Sequence, residues 1–371
     1  MALTTAGAVV EGAGLPTEGF RHLPEARDAR VAETGRRLAA SLPSSVVSEA
    51  ESVAYLGLSY LDMEARLGHA AAARRYDELG RQAFLQLGVF RREFARRRPD
   101  LVVATNSPRA ERAALEVAGE LGIPSICVVD LFGTREARRL ARPGYGRRLC
   151  VLSEAVREAM VGAGRPPEEV VVTGNPAFDA LLGAETRAAG SALRSRKGWG
   201  DSPVILWATQ PLPRAAEQAA YARRIDARVR ALARARPDWT LVVRRHPSEA
   251  RDDRPDLGAL EQSAREEPLA ELLHAVDVVV TMGSTVGLEA ALAGRRVVQI
   301  LGSTYSADVP YAEEGIAIAA PDPESLELAV ERALDSPAAA DPGLMGDGRA
   351  TSRVVDEIDT LLKASRRGAD R

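Results

Sequence analysis

Cysteine is nearly missing from this chain of 371 residues; the two present are Cys127 and Cys150. Each sits in an apolar run, Ile126-Cys127-Val128 and Leu149-Cys150-Val151. That excludes a disulfide framework and a thiolate metal site, and the pair reads as small buried hydrophobes of a reducing compartment. Lysine is as scarce, with only Lys197 and Lys363. The cations are arginines, a bias given no functional weight. No apolar run is long enough to span a bilayer. The start, Met1-Ala2-Leu3-Thr4-Thr5, lacks the basic region and apolar core of a secretory signal, so a soluble, cytoplasmic protein is expected. The GxGxxG fingerprint is absent, which argues against a nicotinamide enzyme. No metal-ligand spacing, paired carboxylates or Ser-His-Asp arrangement stands out. The expectation is therefore no metal and no cofactor. Internal repeats and low-complexity segments are also lacking.

What is present is globular. The chain is 46% hydrophobic and 27% charged, enough for two domains with their own cores. A net charge of -3 excludes nucleic-acid binding driven by bulk charge. Charge is uneven, however: residues 1–150 are net basic and the remainder net acidic. The densest basic run is Arg91-Arg92-Glu93-Phe94-Ala95-Arg96-Arg97-Arg98. It reads as the solvated end of a helix, or alternatively as a patch for peripheral contact with an anionic membrane face.

Residues up to about 98 are helical in character. A helix is expected over Arg27–Leu42, ending at Pro43. A second begins after a cap at Ser44 or Ser45, and Gly68 marks a break. A third runs from Ala71 to Arg97. Beyond Pro99 short apolar runs without alternation appear, the signature of parallel strands buried on both faces. They fall at 101–105, 125–129, 149–152 and 170–173, then restart at 204–208, 240–243, 276–280, 296–301 and 316–319. Helical stretches separate them. The expected fold is α/β, with two Rossmann-like doubly wound parallel-sheet domains facing a cleft. The boundaries are an N-terminal domain over 1–172, a C-terminal domain over 173–345 and a last helix within 346–371.

Three polar clusters fall at the carboxyl ends of the C-terminal strands, where open parallel sheets bind ligands. The most informative is Thr281-Met282-Gly283-Ser284-Thr285-Val286-Gly287-Leu288-Glu289. Gly283 allows close backbone approach, Ser284 and Thr285 can cap the helix, and the uncovered amides of its first turn favour a phosphate. Glu289, one turn on, could accept from ribose hydroxyls; otherwise this is an ordinary cap with packing glycines and a solvated acid. In the second cluster, Arg244-Arg245-His246-Pro247, the proline holds His246 at a strand tip, where it can reach a phosphate oxygen. The bland alternative is a turn histidine on a backbone carbonyl. His22, His69 and His274 read as structural. The third is Thr209-Gln210. In the N-terminal domain, Asp130 follows four apolar residues and is a candidate general base, or else a cap.

The order of these elements resembles the GT-B class of nucleotide-sugar glycosyltransferases and the related UDP-N-acetylglucosamine 2-epimerases. Val172-Thr173-Gly174-Asn175-Pro176-Ala177-Phe178-Asp179-Ala180-Leu181 looks like the interdomain segment of the epimerase-like group. Arg245-His246-Pro247, followed by Gly283-Ser284-Thr285-Val286-Gly287-Leu288-Glu289-Ala290, is similar to the HP and Ser-rich motifs of bacterial capsule transferases. The resemblance implies that His246, Ser284 and Thr285 bind the donor phosphate. It covers about 100 to 350. Two departures stand out. The Ser-Gly-Gly stretch and Glu-Glu pair of the epimerases are absent where Gly283-Ser284-Thr285 stands. The first strand, glycine-rich loop and helix of the class are also missing, and Phe20-Arg21-His22-Leu23 reads as a second strand.

The expected activity is a metal-independent glycosyltransferase moving a sugar from a nucleotide-sugar donor to a hydroxyl acceptor in polysaccharide or glycoconjugate synthesis. Catalysis falls to Asp130 and His246. Donor binding falls to Thr209, Gln210, His246, Gly283, Ser284, Thr285 and Glu289. One alternative is a UDP-N-acetylglucosamine 2-epimerase-like enzyme; another is a catalytically silent nucleotide-binding or scaffolding protein.

Overall fold

The computed structural model describes residues 14, 16–40, 47–133, 136–142, 145–213, 215–249, 257–258, 260–306, 309–336, 343–344 and 346–369. The chain divides into two units. The first takes Met1–Cys150, Arg157–Val171 and Asp356–Arg371; the second takes Val151–Val156 and Val172–Val355. The last helix, Ala350–Ala369, therefore contributes its later turns to the first unit, where Glu357 pairs with Arg148 at 3.3 Å.

The N-terminal stretch is helical, with corrections. Phe20–His22 forms a tight 3-10 turn rather than a strand, because the buried Glu51 carboxylate accepts the Phe20 and Arg21 amides at 2.6 and 3.1 Å. Helices follow at Ala29–Ala39 and Glu49–Leu67. Ser44 and Ser45 lie outside the described residues; the side chain that caps the second helix is Ser48, which accepts the Glu51 amide. Gly68 separates this helix from His69–Leu79 at a positive φ of 80°. The single long helix expected over Ala71–Arg97 is broken. Gly80, at φ 55°, ends the first part, and a new helix starts at Leu87 because the buried Asp62 carboxylate accepts the Val89 amide at 3.0 Å. Phe20, Leu23, Val31, Ala54, Leu58 and Val89 form one core cluster here. Each large side chain so buried contributes roughly 1.5–3 kcal/mol before entropy is subtracted.

The basic run is not a free positive patch. Arg91 pairs with Glu120 at 2.7 Å and Arg92 with Glu25 at 3.0 Å. Arg96 and Arg97 both pair with Glu93, and Arg97 also with Glu18. Four of the five arginines are thus neutralised locally, which removes the basis for the membrane-contact reading. Among the described residues no helix is long and apolar enough to cross a membrane.

The first sheet has the order β1-β2-β3-β4, with β1 Val102–Thr105, β2 Ser125–Val128, β3 Arg148–Val151 and β4 Val170–Val172. β1 pairs parallel with β2, and β2 with β3. Among the described residues no strand precedes Val102, so β1 is an edge. Cys127 and Cys150 are fully buried and not joined in a disulfide, and burial pushes the Cys127 thiol up to about 12. The segment leading into β3 is held by Arg165, whose buried guanidinium donates to the carbonyls of Leu140, Arg142, Tyr145 and Gly146 and pairs with Glu169.

The second sheet is six-stranded and parallel throughout. Its strands are β5 Val204–Ala208, β6 Thr240–Arg244, β7 Glu261–Gln262, β8 Val278–Thr281, β9 Arg296–Ile300 and β10 Ile318–Ala320, in the order β10-β9-β8-β5-β6-β7. β5, β8 and the interior of β6 are buried, as their unalternating Val, Ile and Leu runs require. The helix Ala216–Ala235 covers one face with Ile225, Val229 and Leu232. Trp207, the largest fully buried side chain, has its indole N–H satisfied by Asp226 at 3.1 Å. β7, only two residues long, has no counterpart among the expected strands.

Candidate functional site

The strand order fixes where a ligand can enter the second sheet. From β5 the chain runs to β6 and β7 on one side, then returns to place β8, β9 and β10 on the other. The connections diverge between β5 and β8, and a crevice forms outside the carboxyl ends of strands at such a switch. Thr209-Gln210 follows β5 and Gly283-Ser284 follows β8, so these two loops flank the switch; His246 follows β6, beside the β5 loop.

The β5 and β6 loops are joined directly. The His246 amide donates to the Thr209 hydroxyl at 3.1 Å and to Glu249 Oε2 at 3.0 Å, and the Thr209 hydroxyl donates to the same carboxylate oxygen. The Thr209 amide is spent on the Arg244 carbonyl at 3.0 Å. Thr209 is only 2% exposed, so its groups brace the turn rather than face a ligand. Gln210 is buried beside it. Arg265 closes the turn from outside by donating to the carbonyls of Pro247 and, at 3.4 Å, Glu249. The His246 ring has one nitrogen, Nδ1, engaged by Ser248, while Nε2 bonds to no described residue. The other histidines each have a protein partner: the Gly19 amide for His22, Glu64 for His69 and the distant Leu181 carbonyl for His274.

The β8 loop is less open than its sequence suggests. The Thr281 hydroxyl accepts from the Gly283 and Ser284 amides at 3.2 and 2.9 Å, so two donors expected to face an anion are used inside the protein. Close approach at Gly283 is real, but its partner is protein. A Cβ there would collide with the Tyr305 carbonyl and stand 2.7 Å from Val309 Cγ2. Tyr305 in turn donates its hydroxyl to the Pro211 carbonyl at 2.7 Å, tying the loop after β9 to the loop after β5. Ser284 caps the helix Thr285–Leu292 by accepting the Val286 amide at 3.3 Å, which leaves its hydroxyl proton free to donate. The Thr285 amide, at the exposed first turn, has no described acceptor. The helix start is fixed further by Tyr311, whose hydroxyl donates to the Ser284 carbonyl at 3.0 Å, and by the buried Gln299, which donates to the Met282 carbonyl. Glu289 lies one turn on. Burial raises its carboxyl above the ordinary range, and a hydrogen bond from Thr285 partly offsets this.

In the first unit Asp130 follows β2 and is exposed. Its amide donates to Asn106 Oδ1 at 2.7 Å, and the Asn106 carbonyl accepts from Arg139 at 2.7 Å. The next residue, Leu131, has φ 49°, a left-handed conformation costly for a residue with a Cβ. Glu249, Thr281, Tyr305 and Tyr311 were not singled out in the sequence. Glu249 and Thr281 had local signals, Glu249 lying three residues after His246 and Thr281 opening the Gly283-Ser284 stretch; Tyr305 and Tyr311 act through partners distant in sequence.

The family model described as UDP-N-acetylglucosamine 2-epimerase matches residues 61–359. The chain belongs to this family. Its fold is shared by S. aureus MnaA, solved with UDP, at 18% identity over 75% of this chain and 78% of that chain, with a TM-score of 0.56. The UDP-GlcNAc 2-epimerase of Neisseria meningitidis, solved with UDP-GlcNAc, gives 16% identity, 75% and 80% coverage and a TM-score of 0.54. That of Methanocaldococcus jannaschii, solved with UDP-GlcNAc and UDP, gives 17%, 76% and 82%, with 0.52. No curated protein sequence matches. Membership in the epimerase family overturns the glycosyltransferase assignment. The assignment had rested on the HP and Gly-Ser-Thr clusters, and loops that would hold a nucleotide's phosphates are indifferent to what happens to the sugar. The missing Ser-Gly-Gly stretch and Glu-Glu pair therefore did not exclude the family.

Proposed function

We propose that this member of the epimerase family binds a UDP-linked 2-acetamido sugar and inverts it at C2, without a metal ion. The observation that carries the reading is the arrangement at the β5/β8 switch, within a chain that matches the family over 61–359. There, His246 Nε2 after β6 and the Ser284 hydroxyl and Thr285 amide after β8 are donors left open at the strand tips on either side of β5. These donors hold the diphosphate, and the positive end of the helix Thr285–Leu292 adds to the attraction. Glu289 accepts from the ribose hydroxyls. The named relatives carrying UDP or UDP-GlcNAc support this ligand class.

Inversion at C2 breaks the C2–H bond and returns a proton to the opposite face, so it needs a proton acceptor. Asp130, an exposed strand-tip carboxylate with no side-chain partner among the described residues, is the sequence's candidate for that task. The test is incubation of purified protein with UDP-GlcNAc alone, in EDTA, followed by proton NMR of the sugar. The C2 epimer should accumulate, and Asp130→Asn should slow its formation at least a hundredfold while UDP affinity stays within about threefold. Absence of epimer together with absence of any UDP-induced rise in melting temperature would overturn the reading.

A further inference from the structure

The turn His246-Pro247-Ser248-Glu249 does more than place a histidine at a strand tip. The Ser248 amide donates to His246 Nδ1 at 3.2 Å, and the Ser248 hydroxyl lies 2.7 Å from the same nitrogen. An amide N–H can only donate, so Nδ1 is the accepting nitrogen and the ring proton sits on Nε2. Nε2 makes no bond to a described residue. Meanwhile the main chain of His246 is held at both ends: its amide by Glu249 Oε2 and Thr209, its carbonyl by the Glu249 amide at 3.0 Å. Glu249 is buried, and its carboxylate also takes the Thr209 hydroxyl from the neighbouring strand tip.

We propose that Ser248 and Glu249 are positioning residues that hold His246 as an Nε2–H hydrogen-bond donor to the nucleotide phosphate. This rests on the phosphate-binding role given to His246 above. Ser248 selects the tautomer and Glu249 fixes the backbone from which the ring projects. A ring held this way donates to an oxyanion but takes no proton at Nε2, so His246 is excluded as the base of the reaction. The proton acceptor must then be sought among the carboxylates.

Two measurements test the proposal. Long-range proton–nitrogen NMR of 15N-histidine-labelled protein, with the His246 ring identified by its loss in His246→Ala, should show the Nε2–H pattern at pH 8. An Nδ1–H pattern would overturn the assignment. UDP affinity by calorimetry supplies the second arm. His246→Ala and Glu249→Ala should each weaken UDP roughly tenfold, the double variant no further than His246→Ala alone. Glu249→Gln, which keeps an acceptor for the His246 amide, should remain within about twofold of the unaltered protein, and Ser248→Ala, at an exposed position, should lose about threefold. A purely structural role for Glu249 would lower the melting temperature without this non-additivity. If His246→Ala weakens UDP and Glu249→Ala, Glu249→Gln and Ser248→Ala all bind it normally, positioning fails and the site reading survives. If His246→Ala itself binds UDP normally, the site reading fails and the proposal falls with it. Should Glu249→Ala not fold, the tautomer pattern and the Ser248→Ala affinity decide.

Discussion

The carbonyl of Tyr305 occupies the space that a side chain on Gly283 would need. Through this contact the loop after β9 seals against the tip of β8, while the Tyr305 hydroxyl reaches the Pro211 carbonyl. Gly283→Ala must push the two loops apart or strain both. We expect a loss of about 1–3 kcal/mol in urea denaturation, with weaker UDP binding because the helix start moves. Unchanged stability would show that the loop after β9 yields freely.

The Thr281 hydroxyl serves two amides at the base of the same loop. Thr281→Val keeps the shape and removes the acceptor, leaving the Gly283 and Ser284 amides to find other partners. The expected cost is about 1–3 kcal/mol. UDP should bind this variant less weakly than the stability loss suggests, because a phosphate can accept from the released amides. Calorimetric UDP titration of the two proteins at equal folded fraction checks this.

Glu289 carries a carboxyl raised by burial. A raised folded-state value means that the native state holds its proton more tightly than the unfolded chain. The stabilisation is full below the unfolded value and disappears as pH climbs through the folded one. Glu289→Gln should therefore match the unaltered protein in melting temperature at acid pH and exceed it at neutral pH. In the unaltered protein, UDP affinity should fall on acidification at a pH above the ordinary glutamate range, and this limb should be missing from the variant. Parallel melting curves for the two proteins across pH 4 to 8 would refute the assignment.

Arg165 satisfies four backbone carbonyls from a fully buried position. Replacing it with Met preserves much of the volume but strands those carbonyls and the Glu169 partner. A loss of about 3–5 kcal/mol is expected in denaturant titration, with the first sheet affected. Near-normal stability would mean that water replaces the guanidinium.

Much of the fold could be read from the chain because its strands are short and buried on both faces, so runs such as Val204–Ala208 and Val278–Val280 announce themselves. β7 could not, having two residues and a single neighbour. The break at Gly80 was hidden because the Leu87–Arg97 helix starts on Asp62, a carboxylate a whole helix away in sequence. At the site, His246, Ser284 and Glu289 were visible as strand-tip or first-turn residues. Their surroundings were not. That Thr209 braces His246 follows from β5 lying next to β6, and that Gly283 serves Tyr305 follows from β9 lying next to β8. The choice of reaction was misjudged because polar loops of this kind report a ligand's charge, not the bond that changes.

The strand order has a cost during synthesis. β5 is made first yet ends in the middle of its sheet, with β6 on one side and β8 on the other. As the nascent chain leaves the ribosome, β6 can dock early, but the opposite flank of Val-Ile-Leu-Trp-Ala stays bare until Val278–Thr281 emerges. For those seconds the polypeptide displays an uncovered, strongly apolar strand, the moment at which a chaperone or a neighbouring nascent chain competes for it.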